Sequence, residues 1–497
     1  MYKKIKIAVV LGISFFMLCG CSSIRNAHRQ KEDIVYAYLN GRDSVQADLL
    51  DKVESAAGSG DEAMWLLEYG GVLVNTGNFA AGLAVLERAE NIFEEYDRRA
   101  VVSVRDVAAE GGAVFTNLNA LPYRGMMRDR IMLNMYKSFA RLALGDRDNF
   151  RVEINRMRRA QNHAEDYFAA QIAEEKAQAD SFKKQLAPGN DPDALSSAPQ
   201  KIADTPQIKQ LIAPLQPQLS RPGYGNFLNP AAIALSGISY WSDGDSENAL
   251  VEFTKLYTAF PASALVQELY VAALKRAGRE VPENLQNVQI KFSPGNAVYV
   301  FTAANRGPAY RQEELELILP YVGYTGIAFP VCETYPANFK PTIVKTQNGE
   351  FSAQTLADVN AIAAQEYMAR LPGMITRMII SYVVKEGGAV TVNEIARHSD
   401  NDFLYLGALL TTSIYKYLFN TADTRCWELI PAEISLTALP MPSDGKMQII
   451  LPAYDAESTK IDFALSKTDK PVIVYINAPS LKALRYYVFY LGTGLNR

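Results

Sequence analysis

Three histidines, His28, His163 and His398, and two cysteines beyond the amino terminus, Cys332 and Cys426, are the side chains best suited to acid–base, nucleophilic or metal chemistry here. None stands at a spacing that chemistry needs. No HExxH or CxxC occurs, so a metal site has no ligand pattern to build on. No GxSxG, Walker A or GxGxxG sits in the strand-to-helix setting that those motifs require. Cys426 with His398 as base is conceivable, yet nothing in their spacing supports it. Glu313, Glu314 and Glu316 are the first carboxylates to consider for a hydrolytic site, although carboxylates beside a Pro-flanked strand are more often solvated. No metal or cofactor is therefore expected. The most specific local motif is Ala422-Asp423-Thr424-Arg425-Cys426-Trp427. Its structural reading is a turn in which Asp423 accepts backbone hydrogen bonds and pairs with Arg425 while Trp427 packs beneath. Its functional reading is a partner-binding patch of Asp423, Arg425 and Trp427, because Trp and Arg dominate interface energetics.

A different chemistry is written at the amino terminus. A basic head with Lys3, Lys4 and Lys6 precedes an apolar run from Ile7 to Leu18. The run is too short to span a bilayer and fits the core of a signal peptide. It ends in Leu18-Cys19-Gly20-Cys21, which resembles the lipobox of bacterial lipoproteins. That resemblance implies cleavage before Cys21 and lipidation of its thiol. Ser22 rather than Asp at the next position implies sorting to the outer membrane, facing the periplasm. Two or three acyl chains suffice for stable anchoring. Net charge is −4, and loss of the three leader lysines makes the mature chain more acidic, so no nucleic-acid partner is expected. Cys332 and Cys426 could form one disulfide in an oxidising compartment, or remain buried thiols.

The elements that must position any site begin with helices. Asn229–Pro261 reads as two antiparallel helices, with Gly237 and Tyr240 on the first, Gly244 at the turn, and Ala249 and Phe253 on the second. This ladder of small and large residues is that of a tetratricopeptide-like repeat. One such unit cannot bury its apolar face alone and implies stacked neighbours. Ala63–Phe93 repeats the register through Gly70, Gly77, Gly82 and Leu86. A third, degenerate pair turns at Gly145, with Ser138 at the small position and a long charged helix from Asn149 to Lys184.

After Val288 the hydrophobic period changes from helical to two. Val288–Phe292 and Ala297–Phe301 read as a hairpin around Pro294-Gly295-Asn296, with further strands at Leu315–Leu319 and Gly326–Val331. Thr355–Gly387 reads as helical, and Phe403–Phe419 as a buried helix rather than a span. Strands return at Ile434–Leu439, Lys446–Leu451, Lys460–Leu465, Pro471–Ile476 and Leu484–Leu491.

The expected fold is α+β: an N-terminal α-helical tetratricopeptide-like repeat domain, then a mixed, strand-rich C-terminal part with an antiparallel sheet. Its expected divisions are a leader at 1–20, a lipidated tether at 21–33, helical repeats at 34–186, and a Pro-rich loop at 187–222. A closing repeat at 223–285, an α+β region at 286–430 and a small antiparallel β region at 431–497 follow.

Four segments, Tyr123–Arg156, Asn229–Leu250, Ala297–Pro320 and Ala422–Ile434, give the chain the order and flavour of a known family. It resembles conserved bacterial lipoproteins of uncharacterised function with tetratricopeptide-like helices. Asn305-Arg306-Gly307-Pro308 is less glycine-rich than the family's turn, and Cys426 stands where a small polar residue is more usual. The resemblance implies a lipid-anchored envelope protein and no catalytic residue. The function expected is a non-catalytic scaffold whose concave helical surface takes an envelope protein partner, in cell-wall or surface-structure assembly. The alternative is a protein that binds or hydrolyses cell-wall glycan or peptide between the helical and C-terminal parts. The sequence assigns no oligomeric state.

Overall fold

In this computed structural model the described residues are 27–110, 122–164, 202–319, 323–375 and 422–491, apart from a few positions within them, with scattered residues of 166–173 and 494–495. Cys21, His398 and Phe403–Phe419 lie outside them. The fold is α+β, a helical N-terminal region followed by mixed and antiparallel sheets.

The helices come first. Apart from the single turn Gln216–Leu219, they are α1 Ala27–Leu39, α2 Val45–Ala56, α3 Glu62–Asn75, α4 Phe79–Glu110, α5 Met127–Ala143, α6 Arg147–Asn162, α7 Pro206–Ile212, α8 Pro230–Ser242, α9 Ser246–Ala259 and α10 Ala264–Arg276, with α11 at 359–375 following among the strands. The three expected pairs are α3/α4, α5/α6 and α8/α9. Each turns through a glycine with positive φ, at Gly77, Gly145 and Gly244. Only glycine adopts that conformation without steric cost. Asp146 and Asp245 then cap α6 and α9 by accepting from the backbone N–H of Asn149 and Asn248. Small residues let the paired helices approach: a Cβ on Gly237 would lie 2.6 Å from the Phe253 ring. Ser138, in the degenerate pair, is fully buried and donates to the Asn134 carbonyl.

The strands build two packed sheets and a ribbon. A six-stranded sheet runs in the order β12 (Gly494–Leu495), β11 (Ala483–Tyr490), β10 (Val472–Ser480), β1 (Ala297–Arg306), β7 (Pro431–Pro440), β6 (Gln354–Asp358). β1 pairs parallel with β10 and antiparallel with β7. A four-stranded sheet has the order β5 (Gly349–Ser352), β4 (Ile343–Thr346), β8 (Lys446–Leu451), β9 (Thr459–Ala464). β2 (Ala309–Leu319) and β3 (Gly323–Glu333) form an antiparallel ribbon.

Alternation along β1 explains the layering. Ala297, Tyr299, Phe301 and Ala303 join the helical core, whereas Val298, Val300 and Ala304 face the small sheet. Buried on both faces, β1 is apolar almost throughout. The molecule thus has three layers: helices, six-stranded sheet, four-stranded sheet.

Several expectations change. Of the tether expected at 21–33, residues 27–33 are helical instead, because α1 starts at Ala27 and buries Ala27 and Lys31. The Pro-rich stretch is not loop throughout: Thr205 caps α7, Pro206 occupies its first turn, and Ile208 and Leu215 enter a second core. Val288–Phe292 forms no strand, so β1 finds β10 and β7 instead of a hairpin partner. Gln354–Asp358 is an edge strand, and the helix starts only at 359. The 431–497 region is not a separate sheet, since β1 lies between β7 and β10.

Candidate functional site

The face of the helical array expected to take a partner is occupied by the chain's own sheet. Phe139 of α5 stacks on Tyr475 of β10 with ring centroids 4.3 Å apart, and on Phe489 of β11 at 5.9 Å. Phe79 meets Tyr487 edge-on at 4.9 Å. A buried polar node joins the layers. Asn75 donates to Tyr38 Oη at 3.1 Å and accepts from Tyr475 Oη at 2.9 Å, while Asn477 donates to Tyr38 Oη at 3.1 Å. The inner helices α3, α5 and α8 are consequently buried almost all round.

Charge is buried where α1 and α3 meet the stretch before β7. Lys31 Nζ lies 2.7 Å from Glu68 Oε1 and 3.6 Å from Glu428 Oε1, and it also donates to the Cys426 carbonyl. Burial works against the Lys31 ammonium, but the carboxylates of Glu68 and Glu428 outweigh it and hold its pKa above the ordinary lysine value. Glu68 also accepts the backbone N–H groups of Glu428 and Leu429 at 2.8 and 3.0 Å. At the edge of this cluster His28 Nδ1 is 3.0 Å from Glu428 Oε2. In the neutral tautomer that donates Nδ1–H to Glu428, Nε2 is the acceptor of the ring.

His28 also lines a pocket of about 350 Å³ between α1 and the ends of β1 and β3, together with Glu32, Tyr36, Arg306, Glu333 and Tyr335. A second hollow, of about 400 Å³, lies on the outer helix α6 between Asn155, Arg158, Arg159 and Asn162. Neither was legible in the sequence. His28 and Glu428 stand 400 residues apart; the available signal was the face 28, 32, 36 of α1, which read as tether.

The motif singled out in the sequence is assembled, but inside the protein. Asp423 accepts from Arg425 through backbone N–H (3.2 Å), Nε (2.8 Å) and Nη2 (2.9 Å), and Arg425 Nη1 reaches Asp61 Oδ1 at 3.0 Å. Trp427 is fully buried against Gly71 of α3 and Tyr136 of α5. Arg425 and Trp427 are buried and the half-buried Asp423 carboxylate is taken up by Arg425, so the three form no exposed patch, and the Asp423–Arg425 pairing is that of the turn reading. Glu314 and Glu316 are exposed and Glu313 is half-buried beside Arg311, so these glutamates form no buried pair. Cys332 and Cys426 are both free and buried in the second core. Burial pushes the Cys332 thiol up to about 12 and raises that of Cys426 further, with Glu428 adding to it, which leaves poor nucleophiles. Among the described residues no cluster of three His, Cys, Asp or Glu side chains could hold a metal ion.

The Asp423 carboxyl has a consequence for stability. Burial alone would raise its pKa, but Arg425 prevails and holds it below the ordinary aspartate value. A depressed carboxyl stabilises the fold above its unfolded pKa, about 3.9, and loses that contribution as pH falls through the folded value. Asp423→Asn should therefore be less stable than the parent near neutrality. That deficit should shrink as pH falls from about 3.9 through the lower folded value, below which aspartate is protonated in both states of the parent. Urea unfolding across a pH series checks this; a deficit constant with pH would refute it.

Compared with known proteins, the chain matches no family model, no curated protein and no solved structure.

Proposed function

We propose that the protein is a non-catalytic envelope lipoprotein, anchored through Cys21 to the outer membrane, that acts as a protein-interaction scaffold. The observation that carries this reading is the stack of three helix pairs on a sheet. A repeat array whose inner face is filled by its own chain keeps its outer helices for others. On that outer face Arg147 and Arg151 of α6 gather on Asp243, and Arg158 pairs with Glu252 of α9. These ion pairs order a charged ridge against which a partner can dock. Six Cα steps separate Cys21 from Ala27, which limits the reach from lipid to fold to about 23 Å. Helix α1 is thus held close to the bilayer and the outer helices are free to face a partner.

Two experiments test the reading. Radiolabelled palmitate should enter the protein and Cys21→Ser should abolish both label and membrane retention; unchanged labelling of the variant refutes the anchor. A photocrosslinker at position 159 in intact cells should give one discrete protein adduct that is absent when it is placed at position 460 on β9. Identical patterns, or none at 159, refute the scaffold face. The second reading, binding of cell-wall glycan or peptide, draws support from the paired buried carboxylates Glu68 and Glu428 beneath the His28 pocket.

A further inference from the structure

The His28 pocket combines one cation that has no carboxylate partner among the described residues, two carboxylates and an oriented imidazole. Arg306 is half-buried and its guanidinium lies 3.5 Å from the Tyr335 ring centroid. Among the described residues no carboxylate pairs with it. A guanidinium held flat on a ring keeps its N–H edge free, the geometry that grips a carboxylate bidentately. Glu333 accepts from Tyr335 Oη at 2.9 Å, and Arg311 Nε is 3.7 Å away, which leaves acceptor capacity on Glu333. Glu32 is exposed and makes no ion pair among the described residues. His28 is oriented through Nδ1 by Glu428, and its Nε2 is an acceptor in the neutral tautomer that donates to Glu428.

Single-charge ligands do not satisfy this set. A phosphate would face two carboxylates, and a simple amine would leave Arg306 unpaired. Arg306 already covers a face of Tyr335, which removes a platform on which a sugar ring would stack. We propose that the pocket binds a zwitterionic ligand, a short peptide with both ends free or an amino acid. Arg306 takes its carboxylate, Glu32 and Glu333 take its ammonium, and His28 Nε2 accepts a peptide N–H. Val35 and Leu39, also in the wall, provide an apolar strip for an aliphatic side chain. At about 350 Å³ the pocket falls at the lower end of the ~300–1,000 Å³ common for small ligands. The inference deepens the second reading and does not rest on the anchor or on the outer helical face.

The test is calorimetric titration of the full chain in detergent with Ala-Ala-Ala, Ala-Glu-Ala and Ala-Lys-Ala bearing free ends. Their C-amidated and N-acetylated forms and chitotriose are titrated in parallel. At least one free tripeptide should bind at millimolar concentration. Amidation should weaken it about tenfold or more, the scale of one charge-assisted contact, about 1.4 kcal/mol. Arg306→Gln should lose a similar factor and no longer distinguish free from amidated peptide, whereas Arg306→Lys should retain part of the preference. Absence of heat with all three tripeptides overturns the proposal. So does indifference to amidation, or binding by chitotriose alone. Because amidation alters only the ligand, the result stands even if a variant misfolds. Cys21→Ser should bind as the parent does, which separates this failure from that of the anchor.

Discussion

Replacing Lys31 by methionine should destabilise the protein by about 3–5 kcal/mol, because two carboxylates would remain buried without their cation. Lys31, Glu68 and Glu428 are all nearly inaccessible, and Lys31 lies within 3.6 Å of both partners. A total stability of about 5–15 kcal/mol makes such a loss a large fraction of the whole. The effect is that of an orphaned charge and not the net worth of the ion pair, since desolvation offsets much of the attraction. The triple variant Lys31→Met, Glu68→Gln, Glu428→Gln should accordingly recover most of the loss. Urea unfolding of the parent and the two variants measures both effects. A loss below about 1 kcal/mol in the single variant, or no recovery in the triple, would show that water or rearrangement satisfies the carboxylates.

The second large effect is expected at Phe139. It is 1% exposed and touches Tyr475, Phe489 and Phe301 across the boundary between helices and sheet. Truncation to alanine should cost about 3–5 kcal/mol, the range for a buried aromatic that leaves a cavity. The form of the transition is the sharper readout. Helix and sheet share one core here, so helical ellipticity and near-ultraviolet signals should be lost together, at a lower urea concentration than in the parent. Two separated transitions would mean that the helical array folds without the sheet.

Much of the local structure was legible from short-range chemistry. Gly77, Gly145 and Gly244 mark the turns because only glycine takes their positive φ without cost, and Asp146 and Asp245 start the next helices by capping them. The strands β7 to β11 follow from short apolar or alternating runs, some of them bounded by turns. Val288–Phe292 carried the same alternation and formed no strand, because a strand also needs an edge to pair with. The site was scarcely legible. His28 and Lys31 look like part of a polar tether until Glu428, some 400 residues away, is placed beside them.

The sequence by itself determined the helical repeats, the change to strands, which it placed at Val288 and the structure at Ala297, and the glycine-led turns, since each depends on residues within one element or its neighbour. It also determined that Asp423 and Arg425 would pair, two residues apart. Tertiary structure alone decided that β1 joins β10 and β7, that the sheet fills the inner face of the repeats, and that Trp427 lies buried. It alone gathered His28, Arg306 and Glu333 around one pocket. The physical reason is that burial and pairing across hundreds of residues depend on which surfaces meet. Hydrophobic attraction is proportional to area and non-directional, so a local pattern records that a face must be covered but not what covers it.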